Sequence, residues 1–191
     1  MTSSDNSHDR TQSATFRRAL LGVLVVALLA TGGVLIWLLA DRRGEADEDQ
    51  AAREQVMAQT EQFMLRMGTF GPDLLDEQGG MPEYRDRVKE VITPKFATSF
   101  EEEAATAEQL VAQAGVSRVA DVFATGVAAM DADSATALVA GSFTDSYPVG
   151  KKGDVESAEP VPFRIEVTLV LTDGEWLVDD FTPVTGVEDG S

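Results

Sequence analysis

Residues 19 to 40, ALLGVLVVALLATGGVLIWLLA, carry no charge over 22 positions, and Thr31 is their only polar side chain. A helix of that length rises about 33 Å, which matches a hydrocarbon core of about 30 Å. Thirteen of these residues are Leu, Val or Ile, the side chains that most favour insertion at a bilayer centre. A buried core helix this long would normally show a polar face. A cleavable signal peptide has an apolar region of about 7–15 residues closed by a small-x-small site. Here Leu38-Leu39-Ala40 offers one small position only, so the stretch reads as an uncleaved single-pass anchor in the lipid bilayer, with Trp37 near one interface.

Charge does not orient that anchor. Arg10, Arg17 and Arg18 flank it on one side and Arg42, Arg43 and Arg53 on the other, which is a tie under the positive-inside rule. The first 18 residues are rich in Ser, Thr, Asn and Asp, have little to bury, and are expected to be disordered. Residues 41–50, DRRGEADEDQ, read as an acidic linker that can merge into the next helix. Residues 51–184 are long enough for one domain with its own core, and 185–191 form a short tail.

From Gly44 onward there are 30 acidic and 10 basic residues, a net charge of −20. Such a surface repels phosphate, so no nucleic-acid partner is expected, and it is pushed away from an anionic bilayer surface. The chain has no cysteine, and its one histidine, His8, lies in the N-terminal tail. Ser-His-Asp and Cys-His catalysis, H-E-x-x-H metalloproteases and thiolate metal sites are therefore excluded from the domain. No metal or cofactor is expected, and any chemistry would run on carboxylates, Tyr, Lys or Arg.

Val56, Thr60, Phe63, Met64 and Met67 recur at helical spacing, with Gly68 placed to stop a first helix. Gly71-Pro72 and Gly79-Gly80 mark a loop. A second helix is expected from Pro82 through Val88, Val91 and Ile92, interrupted at Pro94. Ser99 with Glu102 forms a capping box for a third helix, with Phe100, Ala104, Ala107, Val111 and Ala114 on one face and Gly115 as its stop. Glu101 to Glu103 then sit favourably at the positive end of its dipole.

Beyond Gly115 the pattern changes to strands at 116–130 and 134–147, joined through Asp131-Ala132-Asp133, followed by a loop over 148–162. Phe163, Ile165, Val167, Leu169 and Leu171 alternate with polar residues. Asp173-Gly174 is a strong hairpin signal, leading into a last strand from Glu175 to Pro183. The plan is α+β: three helices covering one face of a four-stranded antiparallel sheet.

Five side chains are candidates for a pocket between helices and sheet: Tyr84, Tyr147, Trp176, Asp179 and Asp180. Because Asp179 and Asp180 are adjacent on one strand, one of them must face the helices or the rim, and a buried carboxylate there could act as a base. The preferred reading is a hydrated edge position, or an ion pair with Arg118 or Arg164. The D-x-D at Asp131 and Asp133 lacks the further oxygen ligands of a calcium loop and reads as a solvated turn. Ala27, Thr31 and Gly32-Gly33 provide small residues through which two spans can pair, a route to a homo-oligomer.

A basic short tail, one span, an acidic linker, three helices and a closing RIEVTLVLTDGEWLVDDFTPV together resemble the actinobacterial Mce-associated membrane proteins, where Mce denotes mammalian cell entry. Arg164 to Val184 carries the likeness best. Glu83-Tyr84-Arg85 is similar to an F-x-x-E-Y segment of that group, although no Phe precedes this Tyr at the usual place. The resemblance implies a nuclear transport factor two-like cone, an N-terminus in the cytoplasm and a domain outside the plasma membrane. It also implies a non-enzymatic accessory role beside envelope transport proteins of Mce lipid-import complexes. It assigns no functional residue. Two alternatives are a pocket enzyme pairing Asp179 or Asp180 with Tyr84 or Tyr147, and an inner-membrane scaffold of a type IV secretion apparatus.

Overall fold

In the computed structural model, residues 48–150 and 154–184 are described. The anchor expected at 19–40, the tails and residues 41–47 of the linker lie outside them. Among the described residues no helix is long and apolar enough to cross a membrane.

The first helix, α1, covers 48–68, so the end of the expected linker is already helical. It buries Val56, Thr60, Phe63 and Met64, the stripe its spacing implies, and the Thr60 hydroxyl donates to the Val56 carbonyl at 2.8 Å. Gly68 ends the helix, as its place in the sequence implies, without a left-handed φ. It is the place where α1 meets the sheet: a Cβ there would lie 2.6 Å from that of Ala120 and 2.7 Å from the Phe143 ring.

A 3-10 turn at Pro72–Leu74 leads to α2, Pro82–Lys89. This helix is shorter than expected, because Val91 and Ile92 leave it to run beside the last strand. Val178 N–H donates to the Val91 carbonyl (3.0 Å) and Thr93 N–H to the Val178 carbonyl (2.8 Å). Those bonds place Thr93 to cap α3, Pro94–Ala114, where its hydroxyl accepts from Phe96 N–H at 3.1 Å.

The third helix thus starts at Pro94, in the favoured first position, and not after Ser99. Ser99 lies inside it and donates to the Phe96 carbonyl. Glu101 consequently does no capping; it pairs with Arg85 and Lys89 of α2. The helix ends at Gly115 in the left-handed conformation (φ 65°), as the sequence implies. Its inner face holds Phe96, Phe100, Ala104, Glu108 and Val111, while Ala114 is exposed. The Glu108 carboxylate accepts from Met81 N–H (2.7 Å) and from Arg85 Nε and a terminal guanidinium nitrogen (2.7 and 2.6 Å), locking α2 onto α3.

The sheet has five antiparallel strands: β1 Ser117–Met130, β2 Ser134–Val149, β3 Asp154–Ser157, β4 Val161–Thr172 and β5 Glu175–Pro183. Their order is β1-β2-β4-β5, and β3 pairs with the far end of β2. The fourth strand expected from the sequence is therefore the fifth, because the span read as a 148–162 loop contains β3, a short and fully exposed strand without an apolar face. The Asp173-Gly174 turn has φ of 53° and 86°, the pair of positive angles a type I′ hairpin needs.

Ala135, Ala137 and Val139 of β2, Ile165, Val167 and Leu169 of β4, and Trp176 and Val178 of β5 face the helices. Phe63, Phe96 and Phe181 meet at 5.8–5.9 Å between ring centroids, joining α1, α3 and β5. The β1–β2 register slips between Val122 and Ala124 and again between Val127 and Ala129, bulges that bend β1.

At the first slip the chains come so close that a Cβ on Gly141 would lie 2.1 Å from the Asp121 carbonyl oxygen and 2.5 Å from the Phe163 ring. Gly141→Ala is therefore expected to destabilise the domain by about 3 kcal/mol, as overpacking does. Gly126→Ala, with nothing within 4 Å of the new methyl, should change it by less than about 0.5 kcal/mol. Urea unfolding of the two variants checks the contrast.

Candidate functional site

The bent end of the sheet leaves a hollow where β1, β2 and the helices diverge. Phe70, in the link after α1, is fixed to β1 by two hydrogen bonds with Arg118, its N–H donating at 2.9 Å and its carbonyl accepting at 2.8 Å. Arg118 lies opposite Asp145 in the β1–β2 register and donates to both its carboxylate oxygens at 2.6 and 2.9 Å. The guanidinium lies near the rings of Phe70 (5.7 Å) and Phe143 (5.2 Å), a cation–π arrangement on two sides. Phe143 in turn packs on Phe163 at 4.5 Å.

Met67, Arg118 and Phe143 form a divider between two cavities. One, of about 260 Å³, is walled by Phe70, Tyr84, Glu103, Leu110 and Asp145. The other, of about 420 Å³, opens toward Phe163, Arg164, Ile165, Phe181 and Pro183. Both are lined mainly by apolar and aromatic side chains.

The Arg118–Asp145 pair and the Tyr84 hydroxyl are engaged here. The hydrogen bond from Arg118 holds the Asp145 carboxyl below its ordinary range, and the same bond raises the guanidinium further. Burial pushes the Tyr84 phenol up to about 12, partly opposed by Arg87, and its hydroxyl donates to the Met67 carbonyl at 3.0 Å. Tyr84 thus stays protonated with its proton committed. Glu103, at the lip of the smaller cavity, is raised by burial. Arg87 is lowered, also by burial, and its Nε has no partner. This set offers an apolar or aromatic group a lining beside a neutralised ion pair, and Glu103 is a carboxylate at its wall that makes no hydrogen bond or ion pair among the described residues.

The five candidate residues do not converge. Tyr84 alone lines this hollow. Tyr147 is exposed near the end of β2, opposite Glu156 of β3. Trp176 is buried at the foot of a separate cleft with Gln55, Gln59, Gln62 and Arg66 of α1. Asp179 is the extra residue at a slip between β4 and β5, where Thr168 faces Asp180 and Leu169 faces Val178. It sits at the rim and pairs with Lys95 and the Thr93 hydroxyl, correcting the expected Arg118 or Arg164 partner. Hydrogen bonding to Lys95 lowers its carboxyl. Asp180 points to solvent and accepts from Phe181 N–H.

Glu108, Phe143 and the Arg118–Asp145 pair were missed from sequence. Glu108 had a signal: a lone charge within the Phe100, Ala104, Val111 stripe implies a buried partner. Asp131 and Asp133 lie in the expected turn, and among the described residues no cluster suited to a metal ion occurs.

No family model matches the chain. Two uncharacterized proteins from two strains of Mycobacterium tuberculosis, MT1407 and Rv1362c, are 25% identical over 167 residues, 85% of this chain and 70% of theirs. Among solved structures, a periplasmic fragment of TraM aligns with a TM-score of 0.50 at 10% identity, covering 70% of this chain and 97% of the fragment. An Ntf2-like protein involved in plasmid conjugation aligns at 0.44 and 14% identity, covering 72% of this chain and about half (51%) of that one. At these identities the likeness concerns the fold. The likeness to the TraM fragment supports the α+β fold class.

Asp145 and Glu108 both have depressed carboxyl pKa values in the folded state. Their stabilisation is complete above the unfolded range of about 4 and is lost as pH falls through the lower folded values. The urea midpoint of the wild type should therefore drop as pH is lowered from 5 toward 3. Asp145→Asn should be less stable at pH 7 by about 1 kcal/mol, allowing for the partial exposure of the pair, and lose less over that range. Equal acid sensitivity in the two proteins would contradict this assignment.

Proposed function

We propose that the chain is a single-pass, membrane-anchored, non-enzymatic accessory or scaffold protein. In this reading the N-terminus is cytoplasmic and the acidic domain, outside the plasma membrane, supports an Mce-type lipid transport or cell-envelope assembly. The observation that carries it is the pairing of an uncharged 22-residue span with a domain whose hollow is aromatic and holds a closed Arg118–Asp145 pair. That combination supports a binding or holding role.

The mycobacterial relatives align over most of the chain, as one expects if anchor and domain travel together. The fold shared with a periplasmic fragment of TraM supports an extracytoplasmic domain, and it equally favours a second reading, the inner-membrane scaffold of a type IV secretion apparatus. The enzyme reading draws little support: Asp179 is tied to Lys95, Asp180 is solvated, and the Tyr84 cavity is walled by Glu103 and Asp145 instead.

Two measurements test the proposal. A reporter active only outside the cytoplasm, fused after Ser191, should be active; an inactive fusion beside an active cytoplasmic reporter overturns the topology. Affinity purification of the full chain from detergent-solubilised membranes should recover subunits of an envelope lipid transporter. Recovery of secretion-apparatus subunits in their place would select the second reading, and recovery of neither would count against both.

A further inference from the structure

The cleft over Trp176, of about 470 Å³, has no assigned role. One wall is α1, which presents Gln55, Gln59 and Gln62 to it; the other is the end of the β4–β5 hairpin, with Glu175 and Trp176. The three glutamines stand at i, i+4 and i+7, a single stripe of a helix. Glu54 and Glu61 of the same helix line a different hollow, toward β1. Where α1 faces the cleft, a strongly acidic chain thus places neutral amides. Their hydrogen-bonding capacity is little used. Gln55 makes no hydrogen bond among the described residues, Gln59 reaches the Val91 carbonyl only at 3.5 Å, and Gln62 accepts from Arg66 Nε only at 3.4 Å.

The opposite wall offers backbone. In β5 the N–H and C=O of Val178 point away from β4, since they bond to Val91 and Thr93 of the link before α3. Bonding direction alternates along a strand, and the β4–β5 pairing runs without a slip from Glu175 to Val178, so the N–H and C=O of Trp176 point the same way. Its partner across the ladder agrees: Leu171 N–H is turned away from β5 and donates to the Asp133 carbonyl at 2.8 Å. The link takes up the edge at Val178 but not at Trp176, because the chain before Glu90 is wound into α2. Among the described residues nothing bonds the outward N–H and C=O of Trp176, which leaves a donor and an acceptor on a sheet edge beside the glutamine wall.

We propose that this cleft is a docking site for an extended, basic polypeptide segment of another protein, which adds to β5 at Trp176 and lies along the glutamines of α1. An extended chain offers N–H and C=O groups in alternation, and a glutamine amide can answer both, as acceptor and as donor. The stripe from Gln55 to Gln62 rises about 10 Å, the length of about three extended residues. Charge selects the side chains. Glu175 is exposed and makes no ion pair among the described residues, while Arg66 and Glu90 neutralise each other at 2.6 Å, so the cleft is left negative in a domain of net charge −20. Lysine or arginine beside the extended core is steered to it, and an anionic segment is repelled. The site is separate from the hollow around Arg118, and the inference does not rest on the identity of the assembly proposed above.

The test selects a displayed library of random heptapeptides against the full-length chain in lipid nanodiscs. Enriched peptides should carry Lys or Arg around a core of Val, Ile or Thr. For one such synthetic peptide, labelled with fluorescein, Gln55→Ala combined with Gln59→Ala should weaken binding about tenfold. Glu175→Lys should weaken it about fivefold, and Gln113→Ala on the exposed side of α3 should leave it unchanged. With the unaltered protein, methylating the peptide's backbone nitrogens one at a time should cost at least tenfold at a central position and less than twofold at the ends. On binding, the Trp176 amide should exchange with deuterium at least tenfold more slowly. Unchanged thermal unfolding of the variants separates loss of contact from loss of fold. No enriched peptide, enrichment without a basic bias, binding indifferent to the glutamine pair, or equal tolerance of N-methylation at every position would each overturn the proposal.

Discussion

The bending of β1 is the constraint on which the rest of the domain depends. Two extra residues in that strand, at the slips after Val122 and Val127, tighten its twist and curl it over β2. The curl is possible only because Gly141 offers no side chain where the Asp121 carbonyl descends, and Phe163 closes over the bare backbone. A straight β1 would lie flat beneath α1 and leave no hollow. The curled one lifts its first residues toward Phe70, so that Arg118 and Phe143 stand as a divider between two cavities.

The same bulges decide the chemistry of that hollow. Each slip moves the register by one, so Arg118 faces Asp145, where an unbroken count from the Asp131-to-Asp133 turn would put Tyr147 opposite it. An arginine against a tyrosine would be a cation in search of a partner. Against an aspartate it becomes a closed pair between aromatic rings. The pattern recurs where carboxylates enter the fold: Glu108 meets Arg85 and the Met81 amide, and Asp179 meets Lys95. In so acidic a chain, burying an unmatched carboxylate would cost several kcal/mol, so the few cations are placed where carboxylates go under. Around the Arg118–Asp145 pair the interior that results is neutral.

What could be read in the residues follows the range of the interaction. Helix stripes, the Gly115 stop and the Asp173-Gly174 turn depend on neighbours a few positions away, and they stand where the pattern puts them. The start of α3 differs from the expected one because two local signals compete. The Ser99 capping box is sound by itself, but Thr93 is pinned by β5, 85 residues further along, and that bond selects the earlier start. The third strand escaped notice because an exposed edge has no apolar period to reveal it. The candidate pocket failed for the same kind of reason: Tyr84, Trp176 and Asp179 each reach a cavity or a rim, but which ones share a space is set by bulges that leave no mark in hydropathy.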